Sequence, residues 1–317
     1  MDLERFCATS RVVIVAGKGG VGKTTVTAAM SVAAARAGMS VLIVEVEGKS
    51  GLAACFGHPP LAYAEAELRP GVRARTLTPD DALVEYLEDH GLRRISRRLA
   101  SSGALEVVAT AVPGMKDILV LGKVKQLERG GVADLILIDA PAAGHAVSFL
   151  LSAQGLLDAV RVGPIRKQAA DVVELLTDPA RCQVMLVTLP EETPVTELVE
   201  TAFQIEDRAG LALGPVVVNG CVPSIAGLDT ATVTLPDPHT NGTDGDATAA
   251  TLAAAARFRL DLERRQQEQC DRLAHALPLP QIRLPFLFTA DIGPAEIDTL
   301  ADALAGGIDA LDPVAQP

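Results

Sequence analysis

In the stretch VVIVAGKGGVGKTTV, residues 12–26, Gly17, Gly22, Lys23 and Thr24 satisfy the spacing G-x-x-x-x-G-K-[ST]. Each residue type has a physical task at that spacing. Glycines let successive backbone N–H groups turn inward around phosphate oxygens, and the positive end of a following helix adds attraction. The lysine at 23 reaches β- and γ-phosphates, and the hydroxyl at 24 ligates Mg²⁺. The implied chemistry is nucleotide phosphate binding by Gly17, Lys18, Gly19, Gly20, Val21, Gly22, Lys23, Thr24 and Thr25. Such a loop also needs a carboxylate at the end of a neighbouring strand to hold the metal's water shell. LILIDAPAAGH supplies Asp139 directly after four apolar residues, so Thr24 and Asp139 are the expected Mg²⁺ residues. Lys18 is a second lysine where ordinary loop chemistry uses one.

The elements that must position these residues are legible around them. Residues 11–17 (RVVIVAG) are a short β-branched run ending in glycine, which suits a buried parallel strand. Residues 24–38 follow as an Ala-rich helix with Gly38 as its stop, and residues 40–48 (SVLIVEVEG) form the next strand. Residues 133–140, 182–189 and 213–220 add further apolar strands with helical patterns between them. The expected fold is α/β, a mainly parallel sheet flanked by helices, in one domain over residues 1–317. Residues 58–113 read as an inserted helical subdomain, with Leu83, Tyr86, Leu87, Leu92, Ile95 and Leu99 at amphipathic spacing. Residues 224–249 turn to Thr, Asp, Gly, Asn and Pro, too polar to order by burial, and read as a mobile loop. The alternating charges of ARFRLDLERRQQEQCDRLAHAL then suggest a solvated outer helix.

Composition sets outer limits. Hydrophobic residues make up 49% of the 317 residues and aromatics 3%, with no Trp, so the core must be built from Ala, Val, Leu and Ile. A net charge of −12 argues against sequence-independent nucleic-acid binding. The five cysteines include no C-x-x-C pair, so neither a zinc knuckle nor a disulfide framework is expected. The N-terminus carries no secretory pattern, and the apolar runs fall short of the roughly 20 residues a membrane span needs. A cytoplasmic protein with reduced thiols is expected. LRRISRRL clusters Arg93, Arg94, Arg97 and Arg98, either as a solvated helix face or as a docking patch for an acidic partner or anionic membrane.

GKGGVGKTT resembles the deviant Walker A loop shared by arsenite-pump ATPases, guided-entry ATPases for tail-anchored proteins, Min-system and partition ATPases, and nitrogenase iron protein. In that class the lysine matching Lys18 reaches across a dimer interface to phosphates held by the opposite subunit. Further segments are similar to the arsenite-pump/guided-entry branch. DAPAAGHAVSFL resembles its switch II, with Asp139, Gly144 and His145 in matching places. VVVNGCVP resembles the strand whose Asn, here Asn219, holds adenine, and the segment around Pro285 resembles the second adenine-side element. The resemblance implies an ATPase using ATP and Mg²⁺, with Lys18 and Lys23 catalytic. It also implies a homodimer or a heterodimer with a paralogous ATPase, acting on a protein client or a membrane-associated partner.

Switch I of the branch carries an Asp followed by Pro, whereas EVEGKSGL places Glu47 and Gly48 there. Glu47 either positions the attacking water or only senses nucleotide. A shift of about 1 Å in such a group can slow turnover roughly 100-fold, so a regulatory subunit without its own hydrolysis is the alternative. Cys221 and Cys270 lie too far apart in sequence to imitate the guided-entry family's zinc-binding pair, so no zinc is expected. The five methionines do not fall between residues 58 and 112, where a Met-rich client groove would be sought.

Overall fold

The strands are β1 (Val12–Ala16), β2 (Val41–Val46), β3 (Ala66–Arg69), β4 (Val72–Leu77), β5 (Leu135–Asp139), β6 (Cys182–Thr188), β7 (Val216–Cys221) and β8 (Gln281–Pro285). They form one sheet in the order β3-β4-β2-β5-β1-β6-β7-β8. All neighbours are parallel except β3 and β4, which are antiparallel. The computed structural model describes residues 3–7, 9–46, 51–89, 114–141, 143–228 and 244–311.

β1, β2, β5 and β6 are buried along their whole length, which explains their nearly continuous apolar sequences. Alternate side chains serve opposite faces. Ile14, Leu42 and Ile136 point into one core with Ile118, Phe149 and Leu175. Val13, Ile43 and Leu137 point into the other with Met30, Leu300 and Leu304. The helices in chain order are α1 (Leu3–Cys7), α2 (Lys23–Arg36), α3 (Gly51–Cys55), α4 (Pro79–Asp89), α5 (Met115–Arg129) and α6 (Ala143–Ala159). They continue with α7 (Pro164–Thr177), α8 (Glu192–Phe203), α9 (Asp244–Ala276) and α10 (Pro294–Asp309). α5, α6 and α7 cover the first face, and α2 and α10 pack together over the second.

Two stretches differ from the sequence reading. Within 58–113, residues 66–77 are not helical: β3 and β4 form a hairpin, and α4 follows it. The hairpin turns at Pro70-Gly71, where Gly71 has φ of +81°, a conformation that favours glycine. Arg73 and Arg75 hide the strand by interrupting its apolar pattern. Arg75 is nonetheless buried, its guanidinium 4.3 Å from the centre of the Tyr63 ring. Residues 90–113, including the arginine cluster, lie outside the described residues. Of the stretch 224–249, residues 229–243 also lie outside them, and α9 begins already at Asp244.

Leu137, fully buried in the middle of β5, tests the core. Leu137→Ala should lower unfolding free energy by about 2–5 kcal/mol, through lost transfer energy and the cavity left behind. Leu252→Ala, at an exposed position on α9, should change it by less than about 0.5 kcal/mol. Urea unfolding checks both.

Candidate functional site

The phosphate loop runs from the end of β1 into α2. Gly17 lies so close to β6 that a Cβ there would sit 2.3 Å from the Val187 carbonyl oxygen. Gly22 has φ of +91°, and a Cβ on it would meet the Asn219 amide nitrogen at 2.3 Å. Glycine at 22 is therefore required both by its backbone and by its neighbour. No side chain caps α2, whose first-turn N–H groups have no partners within the helix. This is the anion-binding geometry of a helix start.

The parallel register brings the carboxylate to this loop. Val15 of β1 lies level with Asp139 of β5, so both strands end at the same height. The Thr24 hydroxyl donates to Asp139 Oδ2 at 2.7 Å. A hydroxyl and a carboxylate in direct contact at the mouth of a phosphate loop are a donor set suited to Mg²⁺ and its waters. Lys23 Nζ donates to the Lys18 carbonyl at 3.1 Å, which places its ammonium across the loop.

Lys18 points elsewhere. Its ammonium pairs with Glu197 of α8 at 2.5 Å, with both side chains substantially exposed. Lys18, Gly19, Ser148 and Glu197 line an open cavity of about 570 Å³ beside the loop. Asn219 donates from Nδ2 to the Val21 carbonyl at 3.0 Å, so it lies on the phosphate loop. Pro285 stands level with Cys221 on the neighbouring strand, and the Phe286 N–H donates to the Cys221 carbonyl at 2.7 Å. Asn219 and Pro285 therefore share one end of the sheet, flanked by exposed Phe286 and Phe288 with ring centres 5.0 Å apart. Gly144 and His145 begin α6, with His145 exposed. Glu47 and Gly48 lie outside the described residues.

Three features escaped the sequence reading. Glu45 of β2 pairs in register with Asp139 and is buried, accepting a hydrogen bond from Thr76 at 2.9 Å. Burial, together with the nearby Asp139 charge, raises its pKa. Its signal was present as an acid inside the apolar run VLIVEV. Glu197 gave none, because its partner is so distant in the chain. The third is that, despite their sequence separation, Cys221 and Cys270 line one cavity, the Cys221 thiol donating to the Val218 carbonyl at 3.5 Å. Among the described residues no three His, Cys, Asp or Glu side chains group as metal ligands.

The raised pKa of Glu45 has a definite sign. A carboxyl whose pKa is higher in the folded state favours folding below its unfolded pKa, and that contribution is lost as pH rises through the folded value. Glu45→Gln should therefore raise the thermal midpoint of the Mg²⁺-free protein at about pH 8 and leave it near wild type at about pH 4. A midpoint difference that is the same at both pH values would contradict the account.

Comparison with known proteins agrees with this geometry. A family model described as Anion-transporting ATPase matches residues 10–161, a span that includes the phosphate loop, β2 and Asp139. ATPase BagA of Mycobacterium tuberculosis is 34% identical over 307 residues, covering 87% of each chain. The arsenical pump-driving ATPase of Escherichia coli is 28% identical over 234 residues, 65% of this chain and 39% of that one. ATPase get3 of Schizosaccharomyces japonicus is 28% identical over 141 residues, 44% of this chain and 42% of that one. The chain belongs to the anion-transporting ATPase family, which also takes in arsenical-pump and get3 ATPases.

Proposed function

We propose that the protein is a dimeric, Mg-ATP-driven switch that couples ATP-dependent clamping of two subunits to a client or membrane-associated partner. The observation that carries this reading is the Thr24–Asp139 contact at the mouth of a glycine loop. The loop N–H groups and Lys23 hold the phosphates, Lys23 giving up the Lys18 carbonyl to do so. Thr24 and Asp139 would hold Mg²⁺, which would supply charge neutralisation at the phosphates. Asn219 leaves the Val21 carbonyl to read the base, with Pro285 alongside. Glu47 orients the attacking water, and Gly144 and His145 relay the nucleotide state through the start of α6. The segment 58–113 is the client-facing region, and the site of action is the cytoplasm. Among the described residues no helix is long and apolar enough to cross a membrane.

Lys18 acts in trans in this cycle. An exposed ion pair is worth only about 0.2–1 kcal/mol, so exchanging Glu197 for a phosphate in the opposite subunit meets little resistance. A cation so supplied stabilises charge as phosphoryl transfer proceeds. Lys18→Ala should leave ATP affinity within a few fold, abolish ATP-dependent dimerisation and lower turnover by about 1000-fold or more. Unchanged dimerisation and turnover would refute the reading. Glu197→Gln should strengthen dimerisation by no more than about 5-fold, since that is all a surface pair can withhold. Sedimentation velocity and steady-state ATPase assays measure both variants.

A second reading is favoured by one observation, the Glu47-Gly48 sequence where the branch has Asp-Pro. It makes the chain a nucleotide-binding regulatory subunit paired with a catalytic paralogue. Turnover by the purified chain alone, increased by Glu47→Asp, would reject it. Turnover appearing only when the paralogue is added would support it.

A further inference from the structure

We propose that Cys221 and Cys270 form a redox site, a dithiol that a hydroperoxide oxidises to a disulfide tying α9 to the end of β7. The proposal stands apart from the nucleotide reading, since it rests on the cavity that the two cysteines share and on the hydrogen bonds that brace them. Cys221 closes β7 and Cys270 lies near the C-terminal end of α9. Both line an open cavity of about 470 Å³ together with Glu263, Gln266, Gln267 and Arg283. Their approach is braced on either side. Gln266 of α9 accepts from the Val222 N–H at 2.8 Å and donates to the Gly220 carbonyl at 3.3 Å, gripping both neighbours of Cys221. Gln281 of β8 donates to the Cys270 carbonyl at 2.9 Å. Arg283 is fixed over the cavity by its bond to Gln267 at 2.7 Å.

The electrostatics separate this pair from the other three cysteines. Burial pushes the thiols of Cys7 and Cys182 up to about 12 and that of Cys55 up to about 11, which leaves them protonated and inert. Cys270 is instead lowered to about 7, first by its contact with the neighbouring Cys221 side chain and then by the Arg283 charge. Cys221, whose thiol donates to the Val218 carbonyl at 3.5 Å, is pushed up by the same contact and by burial. One sulfur is thus partly ionised near neutral pH, while its neighbour keeps its proton.

This asymmetry fits a two-step oxidation. The Cys270 thiolate attacks an oxygen of the hydroperoxide; an S–O bond forms, the O–O bond breaks, and the departing alkoxide or hydroxide takes a proton from water. Cys270 is then a sulfenic acid. Cys221 sulfur attacks it; the S–S bond forms, the S–O bond breaks, and hydroxide leaves as water with the Cys221 proton. The two thiols are oxidised by two electrons and the peroxide is reduced to water and an alcohol, or to two waters from hydrogen peroxide. An added dithiol returns the pair to its reduced state by exchange.

The test exposes the full chain to stoichiometric hydrogen peroxide, alkylates the remaining thiols after unfolding, and maps the digest by mass spectrometry. The expected result is a crosslinked Cys221–Cys270 peptide that dithiothreitol removes, with Cys7, Cys55 and Cys182 recovered as alkylated thiols. Cys221→Ser, or Cys221→Ala if the first variant folds poorly, should leave Cys270 as a sulfenic acid trapped by dimedone. Three outcomes would overturn the proposal: both thiols alkylated after peroxide, Cys270 converted to sulfinic acid without a crosslink, or oxidation spread evenly over all five cysteines.

Discussion

Thr24 opens a helix and Asp139 closes a strand, and their side chains meet at 2.7 Å. That contact depends on nearly everything beneath it. β1 and β5 must lie side by side and in parallel so that Val15 stands level with Asp139. A shift of one residue would turn Asp139 to the opposite face of the sheet. The register is held by strands buried on both faces, where Ile14 and Ile136 belong to one core and Val13 and Leu137 to the other. The glycines between β1 and α2 then let the chain close over the strand ends. Gly17 packs against the β6 backbone and Gly22 against Asn219, so side chains at either place would push the loop from its neighbours.

The charges around this contact are arranged in unequal depth. Asp139 and Glu45 lie at paired positions on adjacent strands, and both are buried. Two carboxyls so placed repel one another, which fits a site built to receive a divalent cation. Lys18 and Lys23 belong to the same loop but differ in engagement. Lys23 spans the loop to a backbone oxygen, whereas Lys18 turns outward to an exposed carboxylate on α8. The outward lysine is held weakly, which suits the proposed role in another subunit.

Local chemistry and buried runs were the parts of this molecule legible in its sequence. The loop spacing named Lys23 and Thr24, and four apolar residues before an acid named Asp139. Continuous β-branched runs identified β1, β2, β5 and β6, because strands covered on both faces leave no place for polar residues. The β3–β4 hairpin was obscured by Arg73 and Arg75, although Pro70-Gly71 marked its turn. Glu45 was visible as a charge in an apolar strand, yet its meaning required knowing that β5 lies beside β2. The Lys18–Glu197 and Cys221–Cys270 contacts join distant segments, and no local pattern encodes them.

The proposed function divides two lysines of one loop between sites, Lys23 serving its own subunit and Lys18 the subunit opposite. Subunit mixing tests this directly. Lys18→Ala and Lys23→Ala proteins, each inactive alone, would be combined in equal amounts and assayed for ATP hydrolysis. In a mixed dimer one site retains Lys23 and receives Lys18 from across the interface, so each mixed dimer that forms should hydrolyse ATP at about half the wild-type rate. No recovery, under conditions where mixed dimers are shown to form, would contradict the account.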